Sequence, residues 1–343
     1  MKDLLRSVRV VLTALFVLVL AACSQEKGPW ERNFNYGGAL GTSYSITYLS
    51  SESLNYQEEI DSVFYVVNQS MSTYWPDSDI SRINEGDSNI VVDDMFKEVF
   101  DLSKEVYDKT GGYFDPTVGI LVNAWGFGPG AAMELDSTKV DSLLQYVGFD
   151  KVKLTNNGRV SKKDPAISFD FNAIAKGYAI DRLALMLDEK GIDNYLVEVG
   201  GEIVAKGQNK IKNKPWVLGI DDPQIEEGRR LKVALELQDG ALASSGNYRK
   251  FRIDSITGEK YVHTIDPISG FTKNSKVLSA SVIAPTCAEA DAFATAFMAM
   301  DLNDSKAILE REKQLEAYLV YLDEAQEVQE FVTEGFRKRI IKN

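Results

Sequence analysis

Ile167-Ser168-Phe169-Asp170-Phe171-Asn172-Ala173-Ile174-Ala175-Lys176-Gly177-Tyr178-Ala179-Ile180-Asp181 is the stretch on which the reading of this chain turns. The apolar run Ile167 to Phe171 is predicted as a strand that feeds a helix over Ala173 to Glu189, stopped by Gly191. Asp170 then sits where strand hands over to helix, a place where backbone N–H groups and the helix dipole favour anions. Lys176-Gly177 one turn later supplies a cation and a point of close backbone approach. Alone, the commoner outcome of such a pattern is a capping aspartate and a solvated lysine.

A second stretch, Asp291-Ala292-Phe293-Ala294-Thr295, falls in a helix predicted over Thr286 to Met300, with Thr286 as N-cap and Glu289 completing a capping box. Asp291 and Thr295 are four apart and share a helix face, so a carboxylate and a hydroxyl can reach one ion. The bland alternative is a polar stripe on an Ala-rich core helix. Together the two stretches have the donors to hold a hard cation and a nucleotide phosphate in one cleft.

Outward from these, Thr42 to Leu49 alternates as a strand, and helical spacing covers Leu54 to Ser70, Asp93 to Asp108 and Ser137 to Tyr146. From Tyr195 to Ala284 the pattern is β-rich, with runs at Tyr195–Val199, Val217–Ile220, Leu231–Leu237 and Val277–Ala284. A helix over 303–312, a strand near Ala317 to Leu322 and a terminal segment complete an α+β domain with largely antiparallel sheets. Gly200-Gly201 between two β runs marks a tight turn or a close backbone contact.

The N-terminus is set aside as a targeting segment. Lys2, Arg6 and Arg9 precede the apolar run Val10 to Leu20, and Leu20-Ala21-Ala22-Cys23 has the form of a lipobox. The run is short for a membrane span, which needs about 20 residues. Residues 1–22 are therefore expected to be a lipoprotein signal peptide, Cys23 the lipidated first residue, 23–35 a polar tether and 36–343 the catalytic domain. Such a protein would be anchored on the periplasmic side of a bacterial membrane, inner or outer. Ser24, in place of an inner-membrane retention aspartate, points to the outer one.

Without residues 1–22 the chain carries 35 Lys+Arg against 50 Asp+Glu, a formal charge of −15. Such a body does not suit nucleic acid and repels anionic lipid, leaving membrane attachment to the anchor. With Cys23 lipidated, Cys287 has no disulfide partner and reads as a small buried side chain. His263 is the single histidine, so zinc sites built on several histidines and an HExxH protease are excluded. A metal here is oxygen-ligated, which favours magnesium or calcium. On composition alone His263 reads as a strand-end residue beside an Asp-Pro turn. Gly126-Phe127-Gly128-Pro129-Gly130 is interrupted by proline and opens no helix, so it is not a dinucleotide fingerprint. No GxxxxGK[ST] loop is present, and Ser244-Ser245-Gly246-Asn247 lacks the glycines of a nucleophile elbow.

Read in order, the segments resemble the ApbE family of FAD:protein FMN transferases. The resemblance rests on Met71-Ser72-Thr73-Tyr74 with Ser78 to Asn84, Phe114 to Gly119, and Trp125 to Gly128. It continues through Asp170 to Asp181, Glu198-Val199-Gly200-Gly201-Glu202, Ala243 to Tyr248, His263-Thr264-Ile265-Asp266-Pro267 and Asp291 to Thr295, spanning nearly the whole mature chain.

The resemblance implies a T-fold-like α+β body with two intimate subdomains around one cleft. It implies a magnesium-dependent enzyme that cleaves the diphosphate of FAD, places FMN on a Thr or Ser hydroxyl of another protein, and releases AMP. The implied acceptors are flavin-carrying subunits of membrane redox complexes, of the sodium-pumping quinone reductase and Rnf types. Asp170, Lys176 and Ile265 are expected to contact FAD, with Tyr74 against one of its rings and Tyr113, Phe114 and Asp115 lining the nucleotide pocket. The Ala173 carbonyl, Asp291 and Thr295 are expected to ligate the metal, with the Ala294 carbonyl nearby. Leu40-Gly41-Thr42 stands where the family has Met-Gly-Thr, making Leu40 an apolar FAD neighbour. His263 becomes the candidate base for the acceptor hydroxyl, and Lys176 assists at the phosphates. The rivals are a hydrolase that only splits FAD into FMN and AMP, a non-catalytic FAD-binding lipoprotein, and a chain that is itself a flavin acceptor. The last is disfavoured by Leu242 standing where a hydroxyl residue is needed in Asp239 to Ser244.

Overall fold

A two-residue turn starts the architecture. Leu40 (φ 51°) and Gly41 (φ 72°) are both left-handed, and they close β1 (Glu31–Ala39) onto β2 (Thr42–Ser50) with Ala39 opposite Thr42. Turns of this hand match the twist of antiparallel strands. The computed structural model describes residues 29–225, 230–246, 251–253, 260–262, 264–273 and 276–342. Within them one antiparallel sheet of eight strands runs in the order β1-β2-β5-β6-β9-β12-β13-β14. Its remaining strands are β5 (Tyr195–Val199), β6 (Glu202–Lys206), β9 (Gly240–Gly246), β12 (Val277–Ala284), β13 (Glu316–Leu322) and β14 (Val328–Val332). Three small hairpins lie outside it: β3 (Val152–Leu154) with β4 (Val160–Lys162), β7 (Trp216–Asp221) with β8 (Leu231–Leu237), and β10 (Phe251–Ile253) with β11 (Lys260–Val262).

Nine described helices complete the element order. They are α1 (Gln57–Met71), α2 (Asp79–Asn84), α3 (Asp94–Lys109), α4 (Gly119–Ala124), α5 (Ser137–Leu144), α6 (Ala175–Glu189), α7 (Cys287–Ala299), α8 (Leu302–Arg311) and α9 (Glu334–Arg339). One face of the sheet carries α7, α6, α1 and α3; the β7–β8 hairpin and α9 cover part of the other. α3 shows why: Phe96, Val99, Phe100, Ser103 and Val106 repeat at helical spacing and are all buried, and Asp93 caps the first turn by accepting the Phe96 amide at 2.7 Å. By contrast, α7 is apolar nearly all round and lies wholly in the core; only Glu289 and Thr295 are partly accessible. The α4–α5 lobe has a small core of its own around Leu121, Trp125, Val140, Val147 and Ile265.

Three expectations are corrected. The tether ends before Glu31, because residues 31–35 belong to β1 and are held to β2 along its full length. The side chains of Asn33 and Asn35, buried on the inner face, bond Ser50 and Asn55, which anchors a stretch that looks merely polar. The strand over Ile167–Phe171 is absent: Ser168 makes a single parallel bridge to Val118. Here the Asn84 side chain replaces a neighbouring strand, accepting the Phe169 amide at 2.7 Å and donating to its carbonyl at 2.8 Å. Ile167, Phe169 and Phe171 are nonetheless fully buried, which explains the strand-like sequence. Finally, α6 begins at Ala175, after a turn over 172–174, and not at Ala173. The expected capping box at α7 is half made: Thr286 accepts the Glu289 amide at 3.2 Å, while the Glu289 carboxylate accepts from Gln314.

Candidate active site

The turn before α6 and the middle of α7 meet at one hydrogen bond. The Gly177 amide donates to Asp291 Oδ2 at 3.1 Å across 114 residues of sequence. A helix continued back to Ala173 would direct that amide to the Ala173 carbonyl. Asp291 takes it instead, and no hydrogen bond to the Ala173 carbonyl is found among the described residues. Ala173 is thus a half-buried residue with an unengaged carbonyl, and Asp291, which takes the amide, is 5% exposed. Thr295, one turn along α7, places its hydroxyl 3.4 Å from Ser245 Oγ of β9. Carbonyl, carboxylate and hydroxyl oxygens of this kind suit a hard divalent cation. No cluster of three His, Cys, Asp or Glu able to hold a metal occurs among the described residues.

Glycine at 177 is what permits the meeting. A Cβ there would lie 2.3 Å from the Cys287 carbonyl oxygen and 2.8 Å from the Ala288 nitrogen. The start of α7 is fixed by Asp181, which accepts the Cys287 and Ala288 amides at 2.8 Å each and so occupies the helix N-terminus with a charge of favourable sign.

Lys176 points its ammonium at Glu202, the first residue of β6, with Nζ to Oε1 at 2.8 Å. Burial opposes the lysine's charge, but Glu202 and Asp291 hold its pKa above the ordinary value. Glu202 is pushed up to about 7 by burial and by Asp291, against the pull of Lys176. The two directions describe one crowded site, in which two carboxylates share a single cation. Asp291 is likewise raised by burial, with Lys176 and the Gly177 amide opposing.

Asp170 is buried, its carboxylate accepting the Asn172 amide at 2.7 Å; burial raises its pKa. Tyr74 is 58% exposed, reaches the Phe127 carbonyl at 3.4 Å and is near enough to Asp170 for that charge, after burial, to raise its own pKa. The exposed Tyr74 side chain thus reaches the Gly126–Gly130 loop at its hydroxyl. Leu40, half-buried in its turn, packs against both large core clusters. Tyr113 is partly accessible with the Lys273 ammonium 6.0 Å from its ring centre.

The side chains of Phe114 and Asp115, both expected to line the nucleotide pocket, face inward. Phe114 is core. Asp115 accepts the Thr117 amide and hydroxyl at 2.8 and 2.6 Å on one oxygen and the Phe149 amide at 3.2 Å on the other, and so braces the chain turn before α4. Ile265 is buried with Leu121 and Trp125 and pairs with Thr272. The Ala294 methyl is in the core. His263 and Cys23 lie outside the described residues. Glu202, which pairs with Lys176, is not among the site residues expected from the sequence, although Gly200-Gly201 just before it marks a tight turn or close contact. Both glycines have positive φ (63° and 107°) and form the turn that starts β6.

Asp115 and Asp181 are both pushed up to about 6 from an ordinary value of 3.8, burial being the main cause. A carboxyl whose pKa is raised on folding stabilises the folded state in its protonated form. That contribution is complete below the unfolded value and lost as pH rises through the folded one. The metal-free protein is therefore expected to melt at higher temperature at pH 5 than at pH 8. Thermal denaturation in a chelator checks the sign, and a higher melting point at pH 8 would contradict it.

The sequence model of the ApbE family matches residues 40–319. The chain is 34% identical over 324 residues to the FAD:protein FMN transferase of Haemophilus influenzae, covering 90% of this chain and 91% of that protein. To the FAD:protein FMN transferase of Vibrio cholerae it is 34% identical over 302 residues, covering 86% and 88%. In three dimensions it is similar to the flavin transferase ApbE from Vibrio cholerae, with a TM-score of 0.80 and 31% identity, covering 91% of this chain and all of that one. The apo flavinyl transferase ApbE of Pseudomonas stutzeri gives a TM-score of 0.79 at 28% identity, covering 90% and 97%. The match thus takes in both stretches that meet at Gly177 and Asp291, and the chain belongs to the ApbE family.

Proposed function

We propose that this chain is an FAD:protein FMN transferase that moves FMN from FAD to a Thr or Ser hydroxyl of an acceptor protein and releases AMP. The observation that carries the reading is the Gly177–Asp291 hydrogen bond, which brings the phosphate-type motif into contact with the cation-type motif. Asp291, Thr295 and the Ala173 carbonyl would hold Mg²⁺. When bound, that ion supplies neutralisation of the charge that builds on the diphosphate.

The protein's own groups account for the rest. Lys176 presents its ammonium to the phosphates, and Tyr74 offers an exposed ring to a ring of FAD. The acceptor oxygen attacks the FMN-side phosphorus, the bond to the AMP oxygen breaks, and a phosphoester forms. His263 takes the proton from the attacking hydroxyl; its place in the family motif and the lack of another histidine support this role. Lipidation at Cys23 would hold the domain on the periplasmic side of a membrane, near acceptor subunits of sodium-pumping quinone reductase or Rnf type. No described helix is long and apolar enough to cross a membrane.

Incubation of the protein, FAD and Mg²⁺ with such an acceptor subunit should raise the acceptor's intact mass by one FMN unit. Free FMN and AMP with an unchanged acceptor would instead establish hydrolysis. His263→Ala is expected to slow flavinylation by about 10²–10⁴-fold, the usual contribution of a positioned base. Flavinylation at the wild-type rate would remove that role.

A further inference from the structure

Glu202 has the features of a working residue, yet neither the metal ligands nor the base accounts for it. It is 4% exposed, and its Oε1 is engaged by Lys176 Nζ at 2.8 Å. Its Oε2 is buried with no hydrogen-bond partner among the described residues. A pair kept for stability alone would satisfy both oxygens, because an unpaired buried polar atom is costly. Here the bare oxygen belongs to a carboxylate that also feels the charge of Asp291. Natural proteins retain such arrangements where function needs them.

The geometry is one of a rigid post and a flexible arm. The post is set by the Gly200-Gly201 turn, where Gly200 N donates to the Ser43 carbonyl at 3.0 Å and Gly201 N to Glu198 Oε1 at 2.8 Å. β6 packs against both α6 and α7, so Glu202 is fixed to the two helices that build the site. The arm is Lys176, in the first turn of α6, with a flexible four-carbon stem and a side chain 28% exposed. An ammonium has three donors, and Glu202 occupies one while the others stay available.

Building on the flavin-transfer reading, we propose that Glu202 is a positioning residue that holds the Lys176 ammonium in place for the diphosphate of the bound substrate. Without it, the lysine still attracts the anion but samples many placements, and misplacement of this kind costs rate more than binding. Loss of Glu202 also removes a negative charge near an anionic ligand. The two effects act in opposite directions on affinity and turnover, which a merely structural role does not produce.

Glu202→Ala is expected to bind FAD as tightly as wild type or more tightly, by equilibrium fluorescence, while AMP release falls about 10–100-fold. Glu202→Gln keeps an oxygen at the Oε1 position and should recover most of that rate. In the metal-free protein, acylation of Lys176 by an amine-reactive ester, read by peptide mass spectrometry, should be several-fold faster in Glu202→Ala and near wild type in Glu202→Gln. Turnover of Glu202→Ala within threefold of wild type would overturn the proposal. So would a parallel loss of binding and turnover in both variants, or unchanged acylation. If wild type itself neither flavinylates an acceptor nor releases AMP, the flavin-transfer reading fails, and the acylation measurement still decides whether Glu202 holds Lys176.

Discussion

Asp291→Asn is expected to lower FMN transfer about 10³-fold at saturating FAD while leaving the fold intact. A divalent cation stabilises transition-state charge by several kcal/mol, and each ~1.4 kcal/mol is a factor of ten in rate. Asp291 is the one carboxylate in the proposed ligand set, so its neutralisation removes the charge on which cation affinity depends. The amide replacement is close in shape, and its oxygen can still accept the Gly177 amide that now ends on Oδ2. Folding should not suffer. Burial already disfavours the Asp291 charge in the metal-free protein, and Glu202 close by is raised in part by that same charge. The variant should therefore melt no lower than wild type in a chelator, and gain much less thermal stability than wild type when Mg²⁺ is added. Rates measured across a Mg²⁺ titration, with melting curves alongside, check both halves. Activity within tenfold of wild type would remove Asp291 from the metal site.

How much of this was legible in the sequence follows from how local each signal is. The helices at Gln57–Met71, Asp94–Lys109 and Cys287–Ala299 were read nearly to their ends, because spacing and caps such as Asp93 and Thr286 are written in consecutive residues. Ile167–Phe171 misled for the opposite reason. Its apolar residues are buried on every side, as in a central strand, but its backbone partners are Asn84 and Pro116, which no local pattern foretells. β1 was missed because its outer face carries Arg32, Tyr36 and a half-exposed Phe34, while its inner face is asparagine. The site divides along the same line. Asp170, Lys176, Asp291 and Thr295 are each identifiable from residue type and spacing with the family pattern. That Asp115 braces a turn, and that Glu202 pairs with Lys176, depend on contacts made across 34 and 26 residues of intervening fold.

Gly177→Ala is expected to destabilise the protein and abolish transfer together, although helix propensity alone argues the other way. Alanine in place of glycine inside a helix gains up to about 1 kcal/mol. Against that stands the new methyl carbon, 2.3 Å from the Cys287 carbonyl oxygen and 2.6 Å from its carbonyl carbon. Those are backbone atoms, which cannot swing aside as a side chain would. They are pinned besides: Asp181, one turn farther along α6, holds the Cys287 and Ala288 amides, so the two helices are tied at the point where they would have to part. Forced overpacking of a close core contact typically costs about 1–3 kcal/mol, and a backbone clash falls at the upper end. The clash wins, for a net loss of about 1–2 kcal/mol. Any relief moves the Gly177 amide off Asp291, leaving a buried carboxylate without that donor. Urea denaturation should show a lower midpoint with an unchanged slope, and Mg²⁺ should no longer raise it. Wild-type stability with wild-type activity would mean that the close crossing is not needed, and that glycine stands at 177 for some other reason than to let a turn and a core helix share one carboxylate.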